Sequence, residues 1–169
     1  MIFGIGVDVL EAARVKKLFD KYGEHFVERL LLPGERAQFE RTKRKERFLA
    51  MRFAAKEAIV KAMGTGFAHG MWIRDVGVVQ NEWGRPDVVY SERGEKMRRK
   101  LGIGGGYITL TDEAGLIVAV CVLEAAEKSA RKPVTRNTGV KADSKLRSKS
   151  RAKPKSKAAP AKNLRRGRR

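Results

Sequence analysis

The stretch RFAAKEAIVKA, residues 52–62, lies inside the longest helical pattern of the chain, which covers residues 45–63 and contains neither glycine nor proline. The helix carries a carboxylate, Glu57, in apolar surroundings. A second acid, Asp8, ends the strand-like stretch GIGVD, residues 4–8. Because aspartate is disfavoured in strands and a carboxylate is costly to desolvate, the two acids predict a compensating cation, and a hard metal such as Mg²⁺ would suit them.

Strand and helix patterns alternate irregularly on both sides of this helix. Strands are predicted at residues 2–10, 76–79, 87–90, 107–111 and 116–123. Helical segments are predicted at residues 11–22, 25–32, 35–41, 45–63 and 91–101, with Pro33-Gly34 as a break, Gly64 as a C-cap, Ser91 as an N-cap and residues 102–106 as a flexible connector. The order contains hairpins rather than regular βα alternation. It predicts an α+β fold whose mainly antiparallel sheet packs with the long helix.

The positive charge is concentrated at the C-terminal end of the chain. The 169 residues, 42% of them hydrophobic, suffice for one compact core, and the formal net charge is +19. Residues 127–169 contain 17 Lys or Arg against two acids, with almost no large apolar side chain. We therefore predict one folded domain, residues 1–126, and a disordered basic tail, residues 127–169. The tail either binds polyanions nonspecifically or only aids solubility.

Several common functional classes find no support in the sequence. The only cysteine, Cys121, excludes an internal disulfide and a cysteine-based zinc cluster, and its apolar neighbours predict a buried thiol. A third glycine of a dinucleotide-binding motif would fall at Val9, and no Walker A lysine motif is present. Neither His25 nor His69 lies near a nucleophile motif. No signal peptide or membrane span is visible, so we expect a soluble cytoplasmic protein.

Five motifs in this order resemble a known family. They are GIGVDVLE (4–11) with Arg14, RFLAMRFAAKEA (47–58) with Lys61, GTG (64–66), NEWGRP (81–86) and TLTDE (109–113). Together they closely resemble the small holo-[acyl-carrier-protein] synthase class of 4′-phosphopantetheinyl transferases over residues 1 to about 125. The family usually has lysine at the Arg85 position, and some of its branches carry a Ser-His pair in the last motif.

The resemblance implies both a fold and a reaction. The fold is that of 4′-phosphopantetheinyl transferases. The reaction moves the 4′-phosphopantetheine arm of coenzyme A to a serine of apo-acyl carrier protein, in fatty acid biosynthesis, and releases adenosine 3′,5′-bisphosphate. The family forms homotrimers whose active sites lie between neighbouring subunits. The resemblance therefore predicts coenzyme A, apo-carrier protein and two further copies of this chain as partners.

Roles for individual residues follow from the same resemblance. Asp8 and Glu57 are expected to bind Mg²⁺ together with coenzyme A phosphate oxygens, which agrees with the preference of Mg²⁺ for one or two carboxylates plus phosphates and water. Glu57, directly or through a metal-bound water, is the candidate base for the serine hydroxyl. Lys61, one helical turn after Glu57, is expected to approach the phosphates as a catalytic and binding residue. Alternatively, it forms only an i,i+4 salt bridge with Glu57.

The remaining candidates concern coenzyme A and the carrier protein. The turn residues Gly84, Arg85 and Pro86 are expected at the coenzyme A site, and Arg52 and Lys56 lie in a motif near that site. Arg14 is expected to help dock the acidic carrier protein, where complementary charge raises the association rate. Read without the resemblance, Arg14 is an ordinary cation on a helix surface. Asp112 is interpreted as a turn acid with no catalytic role.

Overall fold

The computed structural model describes residues 1–127 and contains a five-stranded antiparallel sheet with the strand order β1-β5-β4-β3-β2. Its strands are β1 (Ile2–Glu11), β2 (Val76–Gln80), β3 (Pro86–Tyr90), β4 (Ile103–Glu113) and β5 (Leu116–Ala125). Its helices are α1 (Ala12–Leu30), α2 (Pro33–Arg41), α3 (Lys45–Met63) and α4 (Glu92–Lys100), with a 3₁₀ turn at Ile73–Asp75. The predicted α+β class and element order are confirmed. The predicted tail lies outside the described residues from position 128 onward.

Helix α3 forms the centre of the core. It packs across β1, β5 and β2 on one face of the sheet and against α1 on its other side. Its alanines and aliphatic residues are almost all buried, as expected of a helix that is apolar around most of its circumference. Gly64 ends the helix in the left-handed conformation, with φ of 72°, and its N–H bonds to the Lys61 carbonyl. The predicted bounds and C-cap of this helix are therefore confirmed.

Two glycines of β1 let the backbone of α3 lie directly on the strand. A Cβ atom on Gly6 would lie 2.0 Å from the carbonyl oxygen of Ala58, and one on Gly4 would lie 2.1 Å from that of Ala62. Both distances are far inside van der Waals contact. The GIG sequence therefore serves close helix–strand packing, and this packing brings the end of β1 beside the second half of α3.

Substitution of Gly6 by alanine is expected to destabilise the fold by at least about 3 kcal/mol, because overpacking against rigid backbone lies at the upper end of the usual cost. Gly105→Ala is a matched control, since its Cβ would meet only the flexible end of Glu124 at 3.1 Å. We expect that control to change stability by less than about 1 kcal/mol. Urea denaturation of both variants measures the difference, and equal midpoints would contradict the close-packing account.

Three local predictions differ from the structure. Residues 102–106 are not a free connector, because β4 already begins at Ile103, which pairs with Ala125 across an irregular register. Pro33 is the first residue of α2 rather than part of a break, since the first helical turn does not need its missing N–H. The helical segment predicted at 25–32 ends at Leu30. Gly23, with φ of 50°, interrupts α1 between the two segments predicted there.

Candidate active site

The middle of β1 and the second half of α3 bring together the acids singled out in the sequence. Asp8 pairs in register with Ala119 of β5, and only 13% of its side chain is exposed. Lys61 Nζ donates to Asp8 Oδ1 at 2.7 Å and to the Val7 carbonyl at 3.1 Å. The carboxylate partner of Lys61 is thus Asp8, across the helix–strand contact, rather than Glu57 on its own helix.

Glu57 lies half-buried one turn before Lys61 and responds to both of its charged neighbours. Burial raises the pKa of Glu57 above its ordinary value, the Asp8 carboxylate raises it further, and the Lys61 ammonium opposes both effects. A desolvated carboxylate that feels a second carboxylate holds its proton more tightly. A divalent cation would relieve this repulsion.

The donor set fits a metal site that the substrate completes. Within residues 1–127, no group of three or more His, Cys, Asp or Glu side chains is placed to hold a metal ion. Two carboxylate ligands are too few for an all-protein cage, whereas Mg²⁺ usually takes one or two carboxylates together with phosphate oxygens and water. Asp8 and Glu57 supply that number of protein ligands.

The Asp8→Asn substitution is expected to lower the pKa of Glu57, because it removes one of the two influences that raise it. In the wild type, the pKa of Glu57 is higher in the folded chain than in the unfolded chain. At pH values between these two pKa values, the folded chain therefore binds more protons than the unfolded chain. Stability therefore falls as pH rises through that window, and Asp8→Asn should flatten this slope. An NMR titration of the Glu57 carboxyl carbon in metal-free protein checks the shift. An unchanged or higher pKa would contradict the proposed closeness of the two acids.

The turn residues expected at the coenzyme A site lie elsewhere in the chain. Asn81 organises this turn by accepting hydrogen bonds from the backbone N–H groups of Trp83 and Arg85, and Gly84 has φ of 78°. Arg85 is exposed and pairs with Asp87 at 3.1 Å. The turn joins β2 and β3, whereas Asp8 is on β1 at the opposite edge of the sheet. The turn is three to four strand spacings from β1, about 14–19 Å, so Gly84, Arg85 and Pro86 do not contact Asp8 within a single chain.

Lys56 and Arg52, which lie in the motif expected near the coenzyme A site, are buried in the core and contact other protein groups. Lys56 is fully buried, and its Nζ donates to Glu35 Oε2 at 2.7 Å and to the Val76 carbonyl at 2.6 Å. Glu35 also accepts from the backbone N–H groups of Leu32 and Val78. The Lys56 ammonium therefore connects α3 to α2 and β2.

Arg52 completes this buried cluster from one turn earlier on α3. Its guanidinium lies over the Phe48 ring, 4.1 Å from the centroid, and donates to Gln38 at 3.2 Å. Its Nε is 3.8 Å from Glu35 Oε1, and burial lowers the pKa of Arg52 against the opposing influence of Glu35. Sequence reasoning missed Glu35, because nothing in its own neighbourhood marks it as a partner of residues 52 and 56.

Arg14 and Asp112 complete the set of predicted residues. Arg14 is exposed on α1, as a docking residue must be. Asp112 lies in β4 rather than in the turn, which contains only Ala114 and Gly115. The Arg47 guanidinium binds both oxygens of Asp112 and holds the pKa of that carboxyl below its usual value. Asp112 thus joins β4 to the start of α3.

Comparison with known proteins gives one consistent result. Residues 4–121 match the model of the 4′-phosphopantetheinyl transferase superfamily. The chain is 39% identical over 124 residues to a holo-[acyl-carrier-protein] synthase of Vibrio parahaemolyticus, covering 73% of this chain and 98% of the relative. It is 40% identical over 133 residues to one of Nitrosococcus oceani, covering 79% and 86%.

Solved structures of similar proteins have the same fold. The holo-[acyl-carrier-protein] synthase of Neisseria meningitidis superposes with a TM-score of 0.69 at 35% identity, covering 73% of this chain and 99% of that one. A Bacillus anthracis holo-(acyl-carrier-protein) synthase, solved in complex with CoA (3′,5′-ADP), superposes with a TM-score of 0.61 at 34% identity, covering 75% and 99%.

Proposed function

The chain belongs to the 4′-phosphopantetheinyl transferase superfamily, and from this premise we propose how its residues carry out the reaction. It is a holo-[acyl-carrier-protein] synthase, which transfers the 4′-phosphopantetheine group from coenzyme A to a serine of apo-acyl carrier protein. The serine oxygen forms a bond to the phosphorus of the phosphopantetheine. The pyrophosphate bridge breaks, and adenosine 3′,5′-bisphosphate leaves. We propose that the holo-carrier protein serves fatty acid biosynthesis.

The convergence of Asp8, Glu57 and Lys61 carries the assignment of the active site. Asp8 and Glu57 are the residues that would hold Mg²⁺ together with coenzyme A phosphates. The metal, when bound, neutralises charge on the pyrophosphate and orients it for in-line attack. Lys61, whose Nζ donates to Asp8, would add a positive charge beside the coenzyme A phosphates.

Glu57 is also the proposed base for the serine proton. Its carboxylate lies beside Asp8 and Lys61, so a serine hydroxyl that attacks a phosphate held there would come within its reach. The carboxylate takes the hydroxyl proton directly or through an intervening water as the oxygen attacks. Lys61 donates to Asp8 and so fixes the position of that carboxylate.

Metal binding by titration calorimetry tests the substrate-completed site. Mg²⁺ alone should bind weakly, and the same protein with coenzyme A present should bind it much more tightly, because phosphate oxygens then supply the missing ligands. Asp8→Asn should remove the increase. Equal Mg²⁺ affinity with and without coenzyme A would overturn the proposed site.

A homotrimer with active sites between subunits is the proposed assembly, and two features support it. The face of β1 turned away from α3 exposes Ile5, Val7 and Val9 by 59%, 47% and 59%. A contiguous apolar sheet face of this kind usually packs against another surface. In addition, the turn containing Gly84, Arg85 and Pro86 is separated from Asp8 within one chain, and a neighbouring copy would bring such a turn to the same coenzyme A molecule.

The compartment is also a proposal. Within the described part of the chain, no helix is both long and apolar enough to cross a membrane. Cys121 is a free buried thiol, and burial raises its pKa to about 12. A thiol kept reduced suits the cytoplasm, where we place the enzyme.

Polyanion binding is a second, separate function proposed for residues 128–169. Removal of this segment should abolish salt-sensitive binding to nucleic acid, because most of the positive charge resides there. Carrier modification should persist, since the family match ends at residue 121. Gel-shift titrations at several salt concentrations, with a parallel transfer assay, measure both activities. Loss of transfer on truncation would instead make the segment a carrier-docking element.

A further inference from the structure

A cationic surface around an exposed tryptophan lies outside the proposed active site. Trp72, directly before the 3₁₀ turn, is 65% exposed. With Arg29, Ile73, Arg74 and Arg93 it lines a depression of about 380 Å³, here called the Trp72 surface. Three of these five residues are arginines and none is acidic. The surface therefore favours a partner that is negatively charged and has an apolar group for the indole.

Hydrogen bonds to the protein hold two of the arginines in place. Arg93 Nε donates to Asp75 Oδ2 at 2.8 Å, and the guanidinium lies over the indole of Trp72, 5.3 Å from its centroid. Asp75 is buried and also accepts from Ser91 Oγ at 2.7 Å. Arg74 donates to the Glu28 carbonyl at 2.8 Å. Among the described residues each guanidinium uses one of its five donors in this way, which leaves an oriented group free for carboxylates.

Residue types of this kind commonly dominate the energetics of protein interfaces. Tryptophan and arginine are enriched among the residues whose truncation costs most binding energy, especially where they cluster. Trp72 is exposed although burying its indole against a partner would be strongly favourable. The basic segment 128–169 is a poor occupant, because its charge has the same sign as that of the arginines.

The Trp72 surface is continuous with the helix that carries Arg14. Arg29 is in the last turn of α1, and α1 packs against the 3₁₀ turn that follows Trp72. Between Arg14 and Arg29 the helix also exposes Leu18 and Tyr22, by 37% and 47%. Because α1 is kinked at Gly23 between these residues, one acidic partner that contacts both Arg14 and Arg29 must follow the kink.

We propose that the Trp72 surface is a second anchor for the acidic carrier protein, at the opposite end of α1 from Arg14. Carboxylates of the carrier bind Arg29, Arg74 and Arg93, and an apolar side chain of the carrier packs on Trp72. The inference rests on the proposed function, in which carrier protein is the acceptor. Because the anchor does not touch coenzyme A, it sets the affinity for carrier protein and leaves the transfer step unchanged.

Steady-state kinetics with Trp72→Ala and Arg29→Gln test this anchor. Each variant should raise KM for apo-carrier protein by about tenfold or more, the usual effect of truncating a central interface residue. The KM for coenzyme A and kcat at saturating carrier protein should stay at wild-type values. Arg99→Gln is the matched control, because Arg99 is 75% exposed on α4 and, within residues 1–127, forms an ion pair only with Glu95. Unchanged KM for carrier protein, or a raised KM for coenzyme A, would overturn the proposal.

Fluorescence gives a direct measure that does not depend on turnover. The chain has two tryptophans, so Trp83→Phe leaves Trp72 as the only indole reporter. Apo-carrier protein should then shift or quench the emission in a saturable titration that weakens as salt rises. An emission that stays constant at carrier concentrations saturating turnover would overturn the anchor. Failure of the proposed function is distinguishable, because the wild-type chain would then modify no carrier protein at all.

Discussion

Replacement of Glu57 by glutamine is expected to lower kcat/KM for carrier modification by about 10³-fold or more. The change removes a metal-ligating carboxylate and the proposed base at once, and positioned proton transfer alone contributes about 10²–10⁴. The side chain keeps its size, and Glu57 is only half-buried, so the fold should persist. Transfer of labelled phosphopantetheine, measured under saturating coenzyme A and Mg²⁺, gives the ratio.

Glu46→Gln is the matched control for this experiment. Glu46 lies in the first turn of the same helix, with its side chain 48% exposed, and forms a surface ion pair with Lys16. An exposed pair contributes less than about 1 kcal/mol, so the control should stay close to wild type. A Glu57→Gln enzyme with activity near that of the control would remove Glu57 from both of its proposed roles.

The second large effect concerns stability rather than chemistry. Lys56→Met should reduce the free energy of unfolding by about 3–5 kcal/mol, because it breaks the shorter of the two buried ion pairs of Glu35 and leaves the carboxylate with Arg52 at 3.8 Å. Glu35 would remain buried without its ammonium partner. Urea denaturation with circular dichroism detection measures the loss.

Two further variants separate the buried charge from general packing effects. Lys96→Met removes an exposed i,i+4 pair with Glu92 and should cost less than about 1 kcal/mol. Glu35→Gln removes the carboxylate and leaves both Lys56 and Arg52 buried without it, so it should cost at least as much as Lys56→Met. If Glu35→Gln costs much less than Lys56→Met, the buried charges are not the cause of the loss.

Local sequence patterns predicted most helices and strands, because the bounds of these elements depend mainly on residues close to them in the chain. Helix α3 has a long apolar pattern and a glycine that adopts positive φ at its end, so both of its bounds are readable. The prediction of a flexible connector at 102–106 was wrong, since its four glycines suggest conformational freedom. In the structure three of these glycines belong to β4 and accommodate an irregular register with β5. The sequence of this segment alone does not show that pairing, because the partner strand lies elsewhere in the chain.

The difference between local signals and contacts distant in sequence also explains which site residues the sequence predicted. Asp8 and Glu57 each stand out within their own motif, and the close packing at Gly6 brings those motifs together. Lys56 and Glu57 are neighbours in sequence, yet successive side chains on a helix point about 100° apart. Lys56 therefore points into the core, and Glu57 points toward the candidate active site. Choosing between them requires the position of Glu35, which is 21 residues from Lys56 in the chain.

The mass of apo-acyl carrier protein after incubation with the full-length chain, coenzyme A and Mg²⁺ tests the central claim most directly. The account predicts a gain of one phosphopantetheine group on a single serine. The gain should be absent when EDTA replaces Mg²⁺, and strongly reduced with Asp8→Asn or Glu57→Gln. A carrier protein that a known synthase modifies but this chain leaves unchanged would contradict the assigned reaction. Full modification by both variants would contradict the assigned site.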